Sequence, residues 1–393
     1  MKSKKRLCNL YLIFWILYIL QDVIGFGASI VSRSLAILVL LISLYYFIYA
    51  IRKLTLPKPL KTLSIMLGIW TIYGVLMVVQ KKTNGVSTFD YIKNIYISLL
   101  PIFTIYVFTI KGWLTEEMLS KWTYVFFFVA IASFYNYSTV RGIDMGTGEF
   151  ANNLSYEVAS LLLLLPLFWK KPTTQYILLG ICMLHVILGM KRGAFLISAV
   201  CSIWMIVRTF KIERASTKKA FRRQLNRTLL SIVVVVAAVF VLSYLASTSD
   251  YFNQRLEQTR EGNSSGRDEI YSTLYHAFLS EKDPLRLFFG YGGYASLFIF
   301  DSYAHNDWLE IAIDNGLVML ILYAVYWIQL FNLFRKSNKR SNEYVMLGMF
   351  LIMFFFRTFV SMSYSDITIY AACAAGYSLA QLQSNKILSK QIE

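Results

Sequence analysis

Charge is scarce in this chain. Only 16% of its 393 residues are Asp, Glu, Lys or Arg, too few for the surface of an ordinary soluble protein of this length. No G-x-x-x-x-G-K-[ST] run is present, so nothing points to ATP as fuel; G-Y-G-G-Y-A-S, from Gly290, lacks the lysine. A D-x-D pair that would hold a metal with a sugar nucleotide is missing, and so is H-E-x-x-H. The four cysteines (Cys8, Cys182, Cys201, Cys373) have no metal-ligand spacing and lie in or beside apolar stretches, which reads as packing rather than a disulfide or metal set. We find no internal repeat.

What is abundant is apolar sequence. Hydrophobic residues make up 57% of the chain, and they come in blocks of roughly 17–22, the length a helix needs to cross a bilayer. Twelve blocks are expected, near residues 7–26, 34–51, 62–79, 91–110, 122–138, 154–169, 174–190, 193–210, 228–246, 307–333, 344–360 and 365–383. The first has a basic start but no small-x-small cleavage site, and it reads as a span rather than a secretory signal. The fold class expected is an all-α integral membrane protein of about twelve spans. Residues 1–246 would hold spans one to nine, 247–306 a large extracytoplasmic loop with short helices, and 307–393 spans ten to twelve and a tail.

The net charge of +17 would suggest nucleic acid on a soluble protein, but its distribution argues against that. Lys4 and Lys5 before span one, Arg52 and Lys53 after span two, Arg208 through Arg227 after span eight, and Arg335 through Arg340 after span ten share one side of a twelve-span path. This is the positive-inside bias, and it places both termini in the cytoplasm. The basic stretch 208–228 reads as a topology signal, with a lipid-headgroup site as its alternative. Residues 247–306 then lie outside. Within them Ile270, Tyr271, Leu274, Tyr275 and Phe278 have helical spacing, and Pro284, Gly290, Gly292 and Gly293 mark turns.

Candidate chemistry gathers at the start of span ten, in H-N-D-W-L-E-I-A-I-D-N-G-L. His305 stands just before it. Asp307-x-x-Glu310 has capping-box form, so a helix should begin at Asn306 or Asp307. An imidazole beside that positive dipole end is disfavoured as a cation and would act as a neutral base; alternatively it is a polar anchor at the membrane surface. Glu310 and Asp314 share a helix face. Carboxylates in a span are costly, so they should face a polar cavity or pair with an arginine. Lys191 and Arg192, in G-M-K-R-G-A-F-L, are on the wrong side for a topology signal. Arg267, Arg255, Arg260 and Arg286 lie in the outer loop. A guanidinium suits bidentate phosphate binding without a metal, although a solvated charge is the plain reading of any one loop arginine. His185 and His276 read as lone packing or surface residues.

In this order the motifs resemble the signature region of the superfamily of O-antigen ligases and Wzy-type polysaccharide polymerases. The resemblance rests on G-R-D-E-I-Y-S-T-L, F-F-G-Y-G-G-Y and H-N-D-W-L-E-I-A-I-D-N-G-L, with K-R-G-A-F-L and, at 146–159, G-T-G-E-F-A-N-N-L-S-Y-E-V-A upstream. An aromatic often seen soon after the loop arginine is shifted or absent, with Ile270 and Tyr271 there. The resemblance implies a GT-C-like fold and an inverting glycosyl transfer that uses no metal or other cofactor. Its donor would be an undecaprenyl diphosphate-linked oligosaccharide at the outer face of the cytoplasmic (inner) membrane. It further implies His305 as base on the acceptor hydroxyl, Arg192 and Arg267 on the diphosphate, and Asn306, Glu310 and Lys191 in support. Implied partners are membrane lipid, a chain-length regulator and a flippase; nucleic acid is not among them. The product would be O-antigen or capsule made by a polymerase. A ligase moving a finished glycan to lipid A-core or another acceptor is the alternative within the family, and a lipid-linked oligosaccharide transporter is the alternative of another class.

Overall fold

The computed structural model describes residues 2–23, 29–79, 88–145, 151–212, 218–261 and 266–392. Residues 146–150 of the G-T-G-E-F-A-N-N segment, 213–217 of the basic stretch and 262–265 of the outer loop lie outside them. The described residues are helical with no strand. Each of the twelve apolar blocks falls on a helix: α1 (Lys2–Val23), α2 (Ile30–Lys53), α3 (Lys58–Val79), α4 (Thr88–Ile110), α5 (Glu116–Met145), α6 (Ser155–Phe168), α7 (Pro172–Leu188), α8 (Arg192–Ile212) and α9 (Lys218–Thr248) come before the loop. Eight of the described helices are long and apolar enough to cross a membrane, while α6 and α7 are apolar but shorter.

The loop folds as four short helices, α10 (Asp250–Arg260), α11 (Arg267–Leu279), α12 (Pro284–Phe289) and α13 (Ala295–Phe300). After it come α14 (Asp307–Lys336), α15 (Asn342–Val360) and α16 (Ile369–Ile392). Local sequence sets these ends. Ser29, Asp283, Asn306 and Ser341 cap their helices with side-chain oxygens, and Pro172 and Pro284 open theirs. Arg52 and Lys53 end α2, and Arg335 and Lys336 end α14, where a cation meets the negative dipole end.

The core runs through the bundle centre. Helix α4 is buried along most of its length and packs against α2, α3 and α16. Gly376 lets α16 approach Ile102 and Ile105 of α4 closely, and Gly348 makes room on α15 for Trp204 of α8. The four cysteines are buried and unbridged. Helix α9 does the opposite. Leu229, Ile232, Val233, Val236, Val239 and Phe240 are all exposed, the surface a bilayer would cover.

The outer loop has a small core of its own. Ile270 and Leu274 of α11 pack with Ala295, Ala304 and Ile313, so the loop is rooted on the first half of α14. The expected apolar face of α11 is therefore correct except at Tyr275, which is exposed.

Candidate functional site

Helix α14 is two helices joined at Gly316, whose φ of 73° and ψ of −173° are not helical. The break frees backbone carbonyls, and the glycine turn of the loop takes them. Tyr291 N–H donates to the Ile313 carbonyl (2.8 Å) and Gly292 N–H to the Asp314 carbonyl (3.0 Å). A β-carbon at Gly290 would strike the backbone of Asp314, and one at Gly316 would strike the backbone of Phe288 and Gly290. Both positions have positive φ, so glycine is required twice over. Asn315 completes the joint: its Oδ1 accepts from Trp70 Nε1 (3.1 Å) and its carbonyl from Tyr73 Oη (3.1 Å).

The acidic residues of the motif have structural partners. Asp307 accepts from Tyr323 Oη (2.6 Å), Ser363 N–H (2.7 Å) and the Ser363 hydroxyl. Glu310 accepts from Ser296 Oγ (2.5 Å) and Ala304 N–H (2.8 Å). Asp314 accepts from the N–H groups of Tyr294 (2.9 Å) and Ala295 (2.8 Å), at the start of α13. All three carboxylates are buried. Two expectations are thereby corrected. Glu310 and Asp314 neither pair with an arginine nor face an open polar cavity; each is satisfied by loop backbone and hydroxyl donors. The capping box is absent too. Asn306 is the cap, with Oδ1 2.9 Å from Trp308 N and 3.2 Å from Leu309 N, and Asp307 turns away to Ser363.

This scaffold presents His305. Glu310 holds the backbone N–H of Ala304 immediately before it, and Asn306 fixes the helix start immediately after. His305 itself has φ 49°, a left-handed conformation uncommon for a residue with a side chain and a mark of strain at functional sites. Tyr271 of α11 braces it, with Oη 3.4 Å from the His305 carbonyl and 3.2 Å from that of Phe359. The ring is half-buried. Burial, then the charges of Arg267 and Lys191, hold its pKa below the ordinary 6.5. A lowered pKa favours the neutral ring near pH 7.

Arg267 and Lys191 belong to a group of four cations. Lys191 feels the charges of Arg267, Arg255 and Arg192, which together with burial lower its pKa. Arg192 in turn lies within reach of Arg255 and Arg267. Arg192 is the first residue of α8 and Arg267 the first residue of α11. A cation at the positive end of a helix dipole is unfavourable. Two of them, at helix starts within electrostatic reach of each other, make a strongly positive cluster suited to an anion. The chain holds the first pair by a fixed turn: Asn152 N–H donates to Gly189 O (2.8 Å), and Gly189 packs on Ser155.

Of the expected site residues, His305, Lys191, Arg192 and Arg267 are linked by their mutual charge, and Asn306 and Glu310 hold the backbone on either side of His305. Arg255 joins the cations, although sequence offered no ground to separate it from a solvated loop charge. Arg286 does not; it stacks over Tyr291 near Glu281 and Asp283. His185 packs between Phe134 and Tyr135, away from the site. Sequence reasoning missed Arg357, buried in α15 and paired with Asp366 at 2.5 Å. An arginine inside an apolar block was the available signal.

Residues 176–324 match the family model Wzy_C, described as O-antigen ligase. In that segment the chain is similar to the O-antigen ligase family. The segment includes α8, the whole loop, and α14 through its break, and hence every cation of the cluster and His305. The match and the apolar helices together indicate a multi-pass membrane protein. No curated protein matches the chain.

Proposed function

We propose that the chain is a membrane glycosyltransferase of GT-C type that polymerises undecaprenyl diphosphate-linked oligosaccharide repeat units into O-antigen or capsule. The observation that carries this reading is a half-buried histidine beside Arg267 and Lys191, in a group of four cations two of which open helices. The donor's leaving group is a lipid diphosphate. Arg192 and Arg267 stabilise the charge that develops on it, with Lys191 and Arg255 adding to the field. His305 removes the proton of the attacking hydroxyl, a contribution of about 10²–10⁴ in rate. Inversion follows from attack on the face opposite the diphosphate. The lipid diphosphate departs as a stabilised anion, so the scheme asks for no general acid, and the guanidinium groups take the place of a metal.

The site faces outward in this reading, at the outer surface of the cytoplasmic membrane, with both termini inside. Repeat units reach it through a flippase, and a chain-length regulator limits the product. The description of the matched family favours a second reading: a ligase that passes a finished glycan to lipid A-core or another acceptor. Purified protein in nanodiscs, given the lipid-linked repeat unit alone and then with a separate acceptor, tests both. A ladder from the repeat unit alone supports the polymerase. Transfer only to the added acceptor supports the ligase. No transfer in either case contradicts both.

A further inference from the structure

Tyr156, at the start of α6, and Arg357, in α15, both lie outside the matched family domain. Arg357 is fully buried, and its guanidinium carbon stands 4.8 Å from the centre of the Tyr156 ring and 5.3 Å from that of Phe354. One end of the guanidinium is tied to Asp366 at 2.5 Å, whose side chain is 64% exposed. A buried cation stacked on an aromatic face and tied at one end holds that ring in place.

The other edge of the Tyr156 ring meets α8. A methyl group added at Gly193 would run into the Tyr156 hydroxyl, so this hydroxyl sits against the helix start that carries Arg192. Tyr156 also feels the charge of Arg267. The residue is only 8% exposed, yet its hydroxyl has no hydrogen-bond partner among the described residues and is not among the fully enclosed atoms that lack one. The exposed remnant of Tyr156 thus includes a spare O–H donor, in the neighbourhood of the cations. A partly buried donor left unused by the protein is suited to a ligand acceptor.

We propose that the Tyr156 hydroxyl is a substrate-binding donor to a phosphate oxygen of the lipid-linked diphosphate, held in place by Arg357 and Asp366 as positioning residues. This rests on the diphosphate reading of the pocket given above. Tyr156→Phe keeps the ring and its stacking on Arg357 and removes only the donor.

The experiment measures binding of undecaprenyl diphosphate, without glycan, to the full chain in nanodiscs, with undecaprenol as the neutral control. Wild type is expected to prefer the diphosphate. Tyr156→Phe should weaken that binding about tenfold, the effect of one hydrogen bond to a charged group, with unchanged thermal melting. Arg357→Gln should weaken it in the wild-type background and add nothing in the Tyr156→Phe background; a purely structural role would give additive losses. Asp366→Asn serves in the same cycle if Arg357→Gln does not fold. Undiminished binding by Tyr156→Phe, with weak binding by Arg267→Ala, would overturn this inference and leave the diphosphate reading standing. A wild type that does not distinguish diphosphate from undecaprenol would overturn both.

Discussion

His305 combines a strained backbone with a ring kept neutral by burial and by Arg267 and Lys191. The sign of the resulting pH dependence follows. The neutral ring is the base, so kcat/KM should rise as pH climbs through the His305 pKa and then stay flat into the neutral range. That pKa lies below 6.5, so the acid limb of the profile is expected below pH 6.5. Arg267→Gln removes one of the cations that depress it and should move the limb upward, besides impairing use of the donor. A pH–rate series on both proteins measures this. An acid limb above about pH 7 in the wild type would contradict the assignment. The sequence singles out His305, Arg192 and Arg267 because each stands in a recognisable motif or on the wrong side for a topology signal. It does not single out Arg255 and Tyr156. Their significance comes from the packing of α6 on α8 and from the charge of Arg255 reaching Arg192, which no local spacing records.

At the scale of elements, the acidic run that makes this span unusual is mostly joinery. Asp307, Glu310 and Asp314 each bind a separate piece of chain, and Gly316 opens α14 so that the Gly290 turn can lock into it. Sequence placed the helix start at Asn306 or Asp307, as observed, but misread its capping, because Asp307 has a partner 56 residues away in Ser363 that only the fold supplies. Asp314→Ala should leave the buried Tyr294 N–H unpaired and the Ala295 N–H with only the Gly292 carbonyl, at 3.2 Å, costing about 1–3 kcal/mol for the orphaned donor. The expected outcome is a lower melting temperature and faster proteolysis within the loop, with Asp314→Asn much milder. Gly316→Ala should be worse than either, since it meets both a positive φ and the backbone of Phe288 and Gly290. Limited proteolysis of the three variants in nanodiscs ranks them.

For the whole molecule, the apolar blocks foretold every long helix, because burying or lipidating an apolar stretch leaves helix as the way to satisfy its backbone. The broken α14 bears on the transporter alternative. Transporters use broken helices to present free carbonyls and helix ends to a substrate or ion near the midplane. Here the carbonyls of Ile313 and Asp314 are already taken by Tyr291 and Gly292. The segment of α14 beyond Gly316 has about twenty residues, roughly 30 Å of helix and enough to span a bilayer core by itself. A bilayer core covering that segment would leave the break at the membrane surface. A reporter placed at Lys282 should read as external and one at Arg340 as cytoplasmic; the reverse pattern would put the pocket on the wrong face for a flipped lipid-linked donor.

The most direct test of the central claim is glycan transfer by purified protein in nanodiscs supplied with the undecaprenyl diphosphate-linked repeat unit, wild type beside His305→Ala. The account predicts a product ladder from the wild type and a loss of about 10²–10⁴ in rate for the variant, with undecaprenyl diphosphate still bound and EDTA without effect. A His305→Ala protein that builds the ladder at the wild-type rate would contradict it.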